Sequence, residues 1–320
     1  MSRYFLGVDG GQSRTAAIIG DEQGCVLGWG LAGPSNHTGA AEGARKFVGA
    51  IETCLQAACR QAGLEAGAVR FASACLGFSG GPEDKEAILA SVLSAERMAV
   101  TNDALIALAG ATAGDPGVIT IAGTGSIAFG RNALGKTARA GGWGYIFGDE
   151  GGAFWIVAQA LRAALRREEG WGPETALRSV LLDATGARDA NDLLHRFYTP
   201  EFPRQSIAAL AQLVDQTANQ GDVVARGILA EAAQQLAGIA LAVRRQLFPA
   251  GQAVLMSYVG GVFRSAAILT SFQRLIETNP ANSVKPPVYG PAAGALLEAY
   301  RIAGIRCVLA QVPEEKSREY

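Results

Sequence analysis

The chain has 320 residues, 49% of them hydrophobic and 18% charged, with a formal net charge of −1. That length suits two domains better than one, and the balanced charge, with no basic stretch, argues against a nucleic-acid partner. No leader or membrane-spanning run is evident; five cysteines without a CxxC pair and only two histidines make a disulfide framework or a zinc site unexpected, and point to a reducing cytoplasm.

In chain order, residues 4–9, 14–19 and 25–30 read as short strands separated by Gly10-Gly11 and an acidic turn. Apolar residues at helical spacing mark a helix over 39–62. A continuous apolar run, 71–78, reads as a strand covered on both faces. A helix over about 83–95, a strand over 98–103 and a helix to about 112 follow, and Gly114-Asp115-Pro116-Gly117 breaks the chain. The opening pattern then returns: strands over 118–123, 126–131 and 136–142, with Gly123-Thr124-Gly125 as the first turn. Helices are expected at 151–168, 174–184, 189–197, 204–219 and 221–247. A strand at 254–260 and helices at 262–278 and 291–303 complete the chain. A βββαβα unit thus occurs twice, and the 41 glycines punctuate its turns rather than forming low-complexity runs.

Glycines in a tight hairpin let amides approach an anion. Gly10 and Gly11, with the hydroxyls of Ser13 and Thr15, form one such candidate phosphate grip; Thr124 and Gly125 form the second. Asp9 can hold Mg²⁺, usually through water. The plain alternative is a glycine turn with Asp9 as a turn residue. Gly260-Gly261, where a strand runs into a helix, can admit an adenosine; the alternative is a simple strand-to-helix turn. Asp103 stands at a strand end, where an Asp also serves as a helix N-cap. Asn36 lies in a Gly/Pro loop, suited to sugar hydroxyls or to a turn.

These glycine elements, in this order, resemble the two phosphate motifs and the adenosine motif of the sugar kinase, Hsp70 and actin superfamily. The segment Gly141-Gly142-Trp143-Gly144-Tyr145-Ile146-Phe147-Gly148-Asp149-Glu150-Gly151-Gly152 resembles the GGWGxxxGDEGS segment of N-acetylglucosamine kinases in the BadF/BadG/BcrA/BcrD ATPase family. The resemblance implies an α/β fold of two ribonuclease-H-like domains with a cleft between them. The expected bounds are 1–115 and 116–320, with the last helix able to pack back on the first. It implies ATP and Mg²⁺ as cofactors and phosphorylation of N-acetyl-D-glucosamine at the 6-hydroxyl. Glucosamine is the alternative substrate; an ATPase activator or a regulatory sugar-binding protein is less expected. Asp103 becomes the general base, and Asn36, Gly80, Gly142, Trp143 and Asp149 the sugar contacts. Without the resemblance, Trp143 reads as core and Asp149-Glu150 as an N-cap pair. A homodimer is implied by the resemblance alone. Two departures stand out: Gln12-Ser13 where relatives usually read Gly-Thr, and Gly152 in place of a small hydroxyl residue.

Overall fold

The computed structural model describes residues 3–35, 41–79, 85–199 and 202–313. Contacts divide the chain into two units, one formed by residues up to Pro116 together with those from Pro286, the other by Gly117–Lys285. The second stretch of chain therefore ends at Lys285 rather than continuing to the C-terminus, because the last helix finds its apolar partners in the first unit.

The first unit opens with an antiparallel meander, β1 (Tyr4–Gly10), β2 (Thr15–Asp21) and β3 (Val26–Ala32). α1 (Ala41–Gln61) follows. The continuous strand expected at 71–78 is interrupted at Ala72, whose amide donates to Tyr4 O. This leaves β4 (Arg70–Phe71) and β5 (Ser73–Phe78). α2 (Glu86–Val92) is shorter than expected and is followed by β6 (Ser94–Ala95), which pairs with β4 in a small side sheet. β7 (Met98–Asn102) and α3 (Asp103–Ala111) complete the βββαβα order. The main sheet runs β3-β2-β1-β5-β7, with β1, β5 and β7 parallel.

The second unit repeats this plan. β8 (Gly117–Ala122), β9 (Ser126–Arg131) and β10 (Thr137–Gly141) form the meander. α4 (Ala153–Glu168), α5 (Leu177–Thr185), α6 (Ala190–Phe197), α7 (Arg204–Ala209), α8 (Ala211–Asn219) and α9 (Val223–Leu247) follow, then β11 (Val254–Val259), a 3-10 turn at Gly261–Arg264, α10 (Ala266–Glu277) and β12 (Asn282–Lys285). The sheet order β10-β9-β8-β11-β12 matches that of the first unit position for position. Two expected helices are each broken in two. Leu210 separates α7 from α8, and Ser265 ends the 3-10 turn and caps α10 by accepting from the Ile268 amide. β12 escapes a pattern reading because only Val284 in it is both apolar and buried.

α1 packs on β2 and β3, while α3 and the final helix α11 (Pro291–Ile302) cover the other face of the first sheet. α3 is almost wholly apolar, and burying Ile106 alone is worth about 2 kcal/mol. Among the cysteines, burial pushes the Cys54 thiol up to about 12, so it stays protonated and inert. Among the described residues, no helix is long and apolar enough to cross a membrane.

One buried cation organises the second unit. Arg244 of α9 is 5% exposed, and its guanidinium donates to Asn282 Oδ1 (3.0 Å), Phe248 O (3.3 Å), Pro249 O (3.1 Å) and Gln252 O (2.9 Å). It thereby satisfies the carbonyls of the turn between α9 and β11. Arg244→Met would orphan all four acceptors, and a loss of about 3 kcal/mol is expected in urea unfolding followed by circular dichroism.

Candidate active site

In the first unit, strand register lines up three chain ends. Gly10 stands opposite Phe78, and Phe78 opposite Asn102, on parallel strands. Gly11, Ser79 and Asp103 therefore leave one sheet edge side by side, at a strand spacing of about 4.8 Å. This is the carboxyl edge of the parallel strands, where open α/β sheets bind ligands. Cross-bonds tie the edge together: the Ser79 amide donates to Gly10 O (3.2 Å) and the Ser35 amide to Gly11 O (3.3 Å).

The first glycine turn is closed by the Gly11 amide donating to Arg14 O at 2.9 Å. The next two amides, of Gln12 and Ser13, are on exposed residues and donate to no group among the described residues. Neither Gly10 nor Gly11 has a positive φ. Gly10 is needed for proximity instead, since a Cβ there would lie 2.2 Å from the Phe78 ring. Thr15 departs from its expected part: its hydroxyl is fully buried and donates to Gly33 O at 2.8 Å. It fastens the loop after β3 and is not presented to a phosphate. Asp9 is half-buried, one residue before the turn. Strand alternation puts it on the face with Phe5 and Gly7, the face covered by α3 and α11.

Asp103 is the first residue of α3, and the cap is its neighbour. The Asn102 side chain accepts from the Leu105 amide at 2.8 Å. With capping done by Asn102, the Asp103 carboxylate is available at the sheet edge, where its Oδ2 accepts from the Ser79 hydroxyl at 2.8 Å. Asn36 and Gly80 lie outside the described residues.

The second unit repeats the turn. The Gly123 amide donates to Gly125 O at 3.0 Å, while the amides of Thr124 and Gly125 donate to no group among the described residues. The turn carbonyls face the other way. Gly123 O accepts from Ala153 N (2.9 Å) and Thr124 O from Phe154 N (3.1 Å), so the start of α4 spends its orphan amides on the turn. Beside it, β11 runs parallel to β8, and Gly260 follows with φ +112°. Any Cβ at Gly260 would lie 2.3 Å from Ala122 O, so only glycine lets the chain turn there. α10 itself begins at Ala266; the helix N-terminus expected directly after Gly261 is therefore absent, and the short 3-10 turn stands in its place.

Asp149 is only 6% exposed and has a left-handed backbone, φ +63°, which costs a non-glycine residue about 1–2 kcal/mol. Its Oδ1 accepts from the Ser126 amide at 3.4 Å and its Oδ2 from Arg204 Nη2 at 2.8 Å. The carboxylate lies against Gly125, where a Cβ would come within 2.3 Å of it. Expected as a direct sugar contact, Asp149 has both oxygens engaged within its own unit. The N-cap of α4 is Gly152, without a side-chain cap. Trp143 is 65% exposed, so it is not core; the Arg139 guanidinium lies 4.6 Å from its ring centroid. Gly142 is exposed with φ +71° and donates to Ser126 O at 2.9 Å. Two residues with no assigned part in the sequence reading, Ser79 and Arg204, thus prove to hold the two key carboxylates. Ser79 was legible as a neighbour of the glycines, whereas Arg204 is 55 residues from Asp149 and carries no local signal.

The chain is similar to known proteins along most of its length. A family model described as the BadF/BadG/BcrA/BcrD ATPase family matches residues 6–299. The chain is 33% identical to an N-acetylmuramic acid/N-acetylglucosamine kinase of Clostridium acetobutylicum, over 87% of this chain and 91% of that protein. It is 30% identical to an N-acetyl-D-glucosamine kinase of Dictyostelium discoideum, over 92% and 97%. A solved structure from Chromobacterium violaceum, provisionally described as an N-acetylglucosamine kinase, superposes with a TM-score of 0.73 at 28% identity, covering 92% of this chain and 98% of that one. On this evidence the chain belongs to the BadF/BadG/BcrA/BcrD ATPase family.

Proposed function

We propose that this chain is an ATP-dependent kinase that phosphorylates N-acetyl-D-glucosamine at its 6-hydroxyl. The observation that carries the reading is the sheet edge of the first unit, where a glycine turn with two unengaged amides stands beside a carboxylate relieved of capping duty. The same kind of turn in the second unit supports it, and the relatives supply the substrate class.

In the first unit the amides of Gln12 and Ser13 are open to a phosphate oxygen of ATP; in the second unit those of Thr124 and Gly125 are, and Gly260 and Gly261 can admit the adenosine. Mg²⁺ neutralises the phosphate charge when bound. Asp9 fits it as a single hard oxygen donor, because Mg²⁺ keeps waters and phosphates as its other ligands. Asp103 orients the sugar hydroxyl towards the γ-phosphorus and accepts its proton. The new O–P bond forms as the bond to the bridging oxygen breaks, and ADP leaves. Gly142, Trp143 and Asp149 are the second unit's candidates for contact with the sugar, and Asn36 and Gly80, outside the described residues, are the first unit's.

Ser79 fixes the Asp103 rotamer through one hydrogen bond worth about 1–1.5 kcal/mol. Ser79→Ala should therefore lower kcat roughly tenfold and leave the KM for ATP unchanged in steady-state assays. The reading itself is tested by coupled ADP release with N-acetylglucosamine, glucosamine, N-acetylmannosamine and glucose, with phosphorus NMR of the product. Turnover with none of the four sinks it, and a preference for glucosamine moves the substrate to the deacetylated sugar.

A further inference from the structure

We propose that Arg204 is a positioning residue that clamps the segment 141–152 onto the Gly123–Ser126 turn, coupling the Trp143 loop to the phosphate grip of the second unit. What the turn binds rests on the kinase reading above; the clamp rests on geometry within one unit. Arg204 opens α7, and its guanidinium meets three separate elements. Nη2 donates to Asp149 Oδ2 at 2.8 Å. The guanidinium also lies 4.9 Å from the centroid of Tyr145 and 5.7 Å from that of Phe154, and these two rings meet edge-to-face at 5.2 Å. Asp149 belongs to the Gly-Asp-Glu-Gly turn, Tyr145 to the loop after Trp143, and Phe154 to the first turn of α4, whose amide holds Thr124 O.

This differs from an ordinary surface ion pair, which contributes little. The Asp149 side chain is 9% exposed, and Arg204 Nε is buried without a hydrogen-bond partner among the described residues. The guanidinium is thus held by its carboxylate and by two aromatic faces, a combination that a lysine cannot reproduce because an ammonium has no planar face to stack. Asp149 needs such a hold, since its left-handed backbone persists only where the surroundings over-determine it. Around it, residues 141, 142, 144 and 151 are glycines with positive φ, a segment with little stiffness of its own. Releasing Arg204 frees Asp149, and Asp149 is what presses on Gly125 and the Ser126 amide.

The test uses the full chain with Arg204→Met, Arg204→Lys, Asp149→Asn and the double variant Arg204→Met/Asp149→Asn. Hydrogen exchange by mass spectrometry, titration with a fluorescent ADP analogue in Mg²⁺, and sugar-kinase kinetics are measured on each. For Arg204→Met, exchange within 141–152 should quicken at least tenfold while the helices of the second unit keep their protection. Nucleotide affinity should fall roughly five- to thirtyfold, and kcat/KM for the sugar at least tenfold. Lysine should recover only part, and the double variant should be no worse than the stronger single. Wild-type nucleotide affinity and kcat/KM in Arg204→Met would overturn the proposal, as would faster exchange spread evenly over the whole unit. If the wild-type chain phosphorylates none of the sugars, the kinase reading fails, while exchange and nucleotide titration still decide the clamp.

Discussion

Asp103→Asn is expected to lower kcat for sugar phosphorylation by about 10²- to 10⁴-fold, the usual contribution of a positioned general base. The substitution keeps shape and volume and removes the ability to accept a proton. Because Asn102 does the capping, α3 should lose no stability, which separates this site from an ordinary N-cap Asp, whose loss costs about 1 kcal/mol. Nucleotide affinity, measured by calorimetry, should stay within about threefold, since the phosphate grip lies on other residues. Activity within tenfold of wild type would remove Asp103 from the reaction. A fall in melting temperature equal to that of Asn102→Ala would show that the two residues share the cap.

Gly294→Ala should strongly destabilise the first unit. α11 crosses α3 so closely that a Cβ at Gly294 would lie 1.9 Å from Ile106 O and 2.4 Å from Gly110 N, both backbone atoms that no rotamer change can move aside. Alanine gains about 1 kcal/mol of helix propensity over glycine. Against that, separating two packed helices costs the contacts of their buried faces, at least about 3 kcal/mol here. The clash wins. Urea unfolding should show a net loss of more than about 2 kcal/mol, and a smaller loss would mean that the crossing yields. A drop in kcat should accompany it, because α3 carries Asp103 at its first position.

The contrast between these two positions shows how much was legible in the sequence. The meanders, the glycine turns and the parallel strands that follow were readable because each is a local pattern: apolar runs of strand length, punctuated by glycine. Both helix breaks were harder to see. Leu210 and Ser265 interrupt sequences of adequate helical periodicity, and β12 has too few apolar positions to register. Asp103 was readable as a carboxylate at a strand end, but not the division of labour with Asn102, since either residue makes a good cap. For Trp143 the resemblance implies a sugar contact and the residue type alone implies core; core is excluded by its exposure, which follows from a segment in which five of the residues 141–151 have left-handed backbone.

The sequence by itself determined the two repeated α/β units, the three-stranded meander that opens each, and which glycines and carboxylates would stand at strand ends. These depend on periodicity and turn chemistry, which act over a few residues. Only the tertiary structure decided that Gly11, Ser79 and Asp103 share one edge, because strand register is set by pairing between segments far apart in the chain. The same holds for Thr15, whose hydroxyl is taken by Gly33, and for Asp149, whose carboxylate is taken by Arg204. A side chain's partner is chosen by what the fold brings within about 3 Å of it, and no spacing along the chain encodes that.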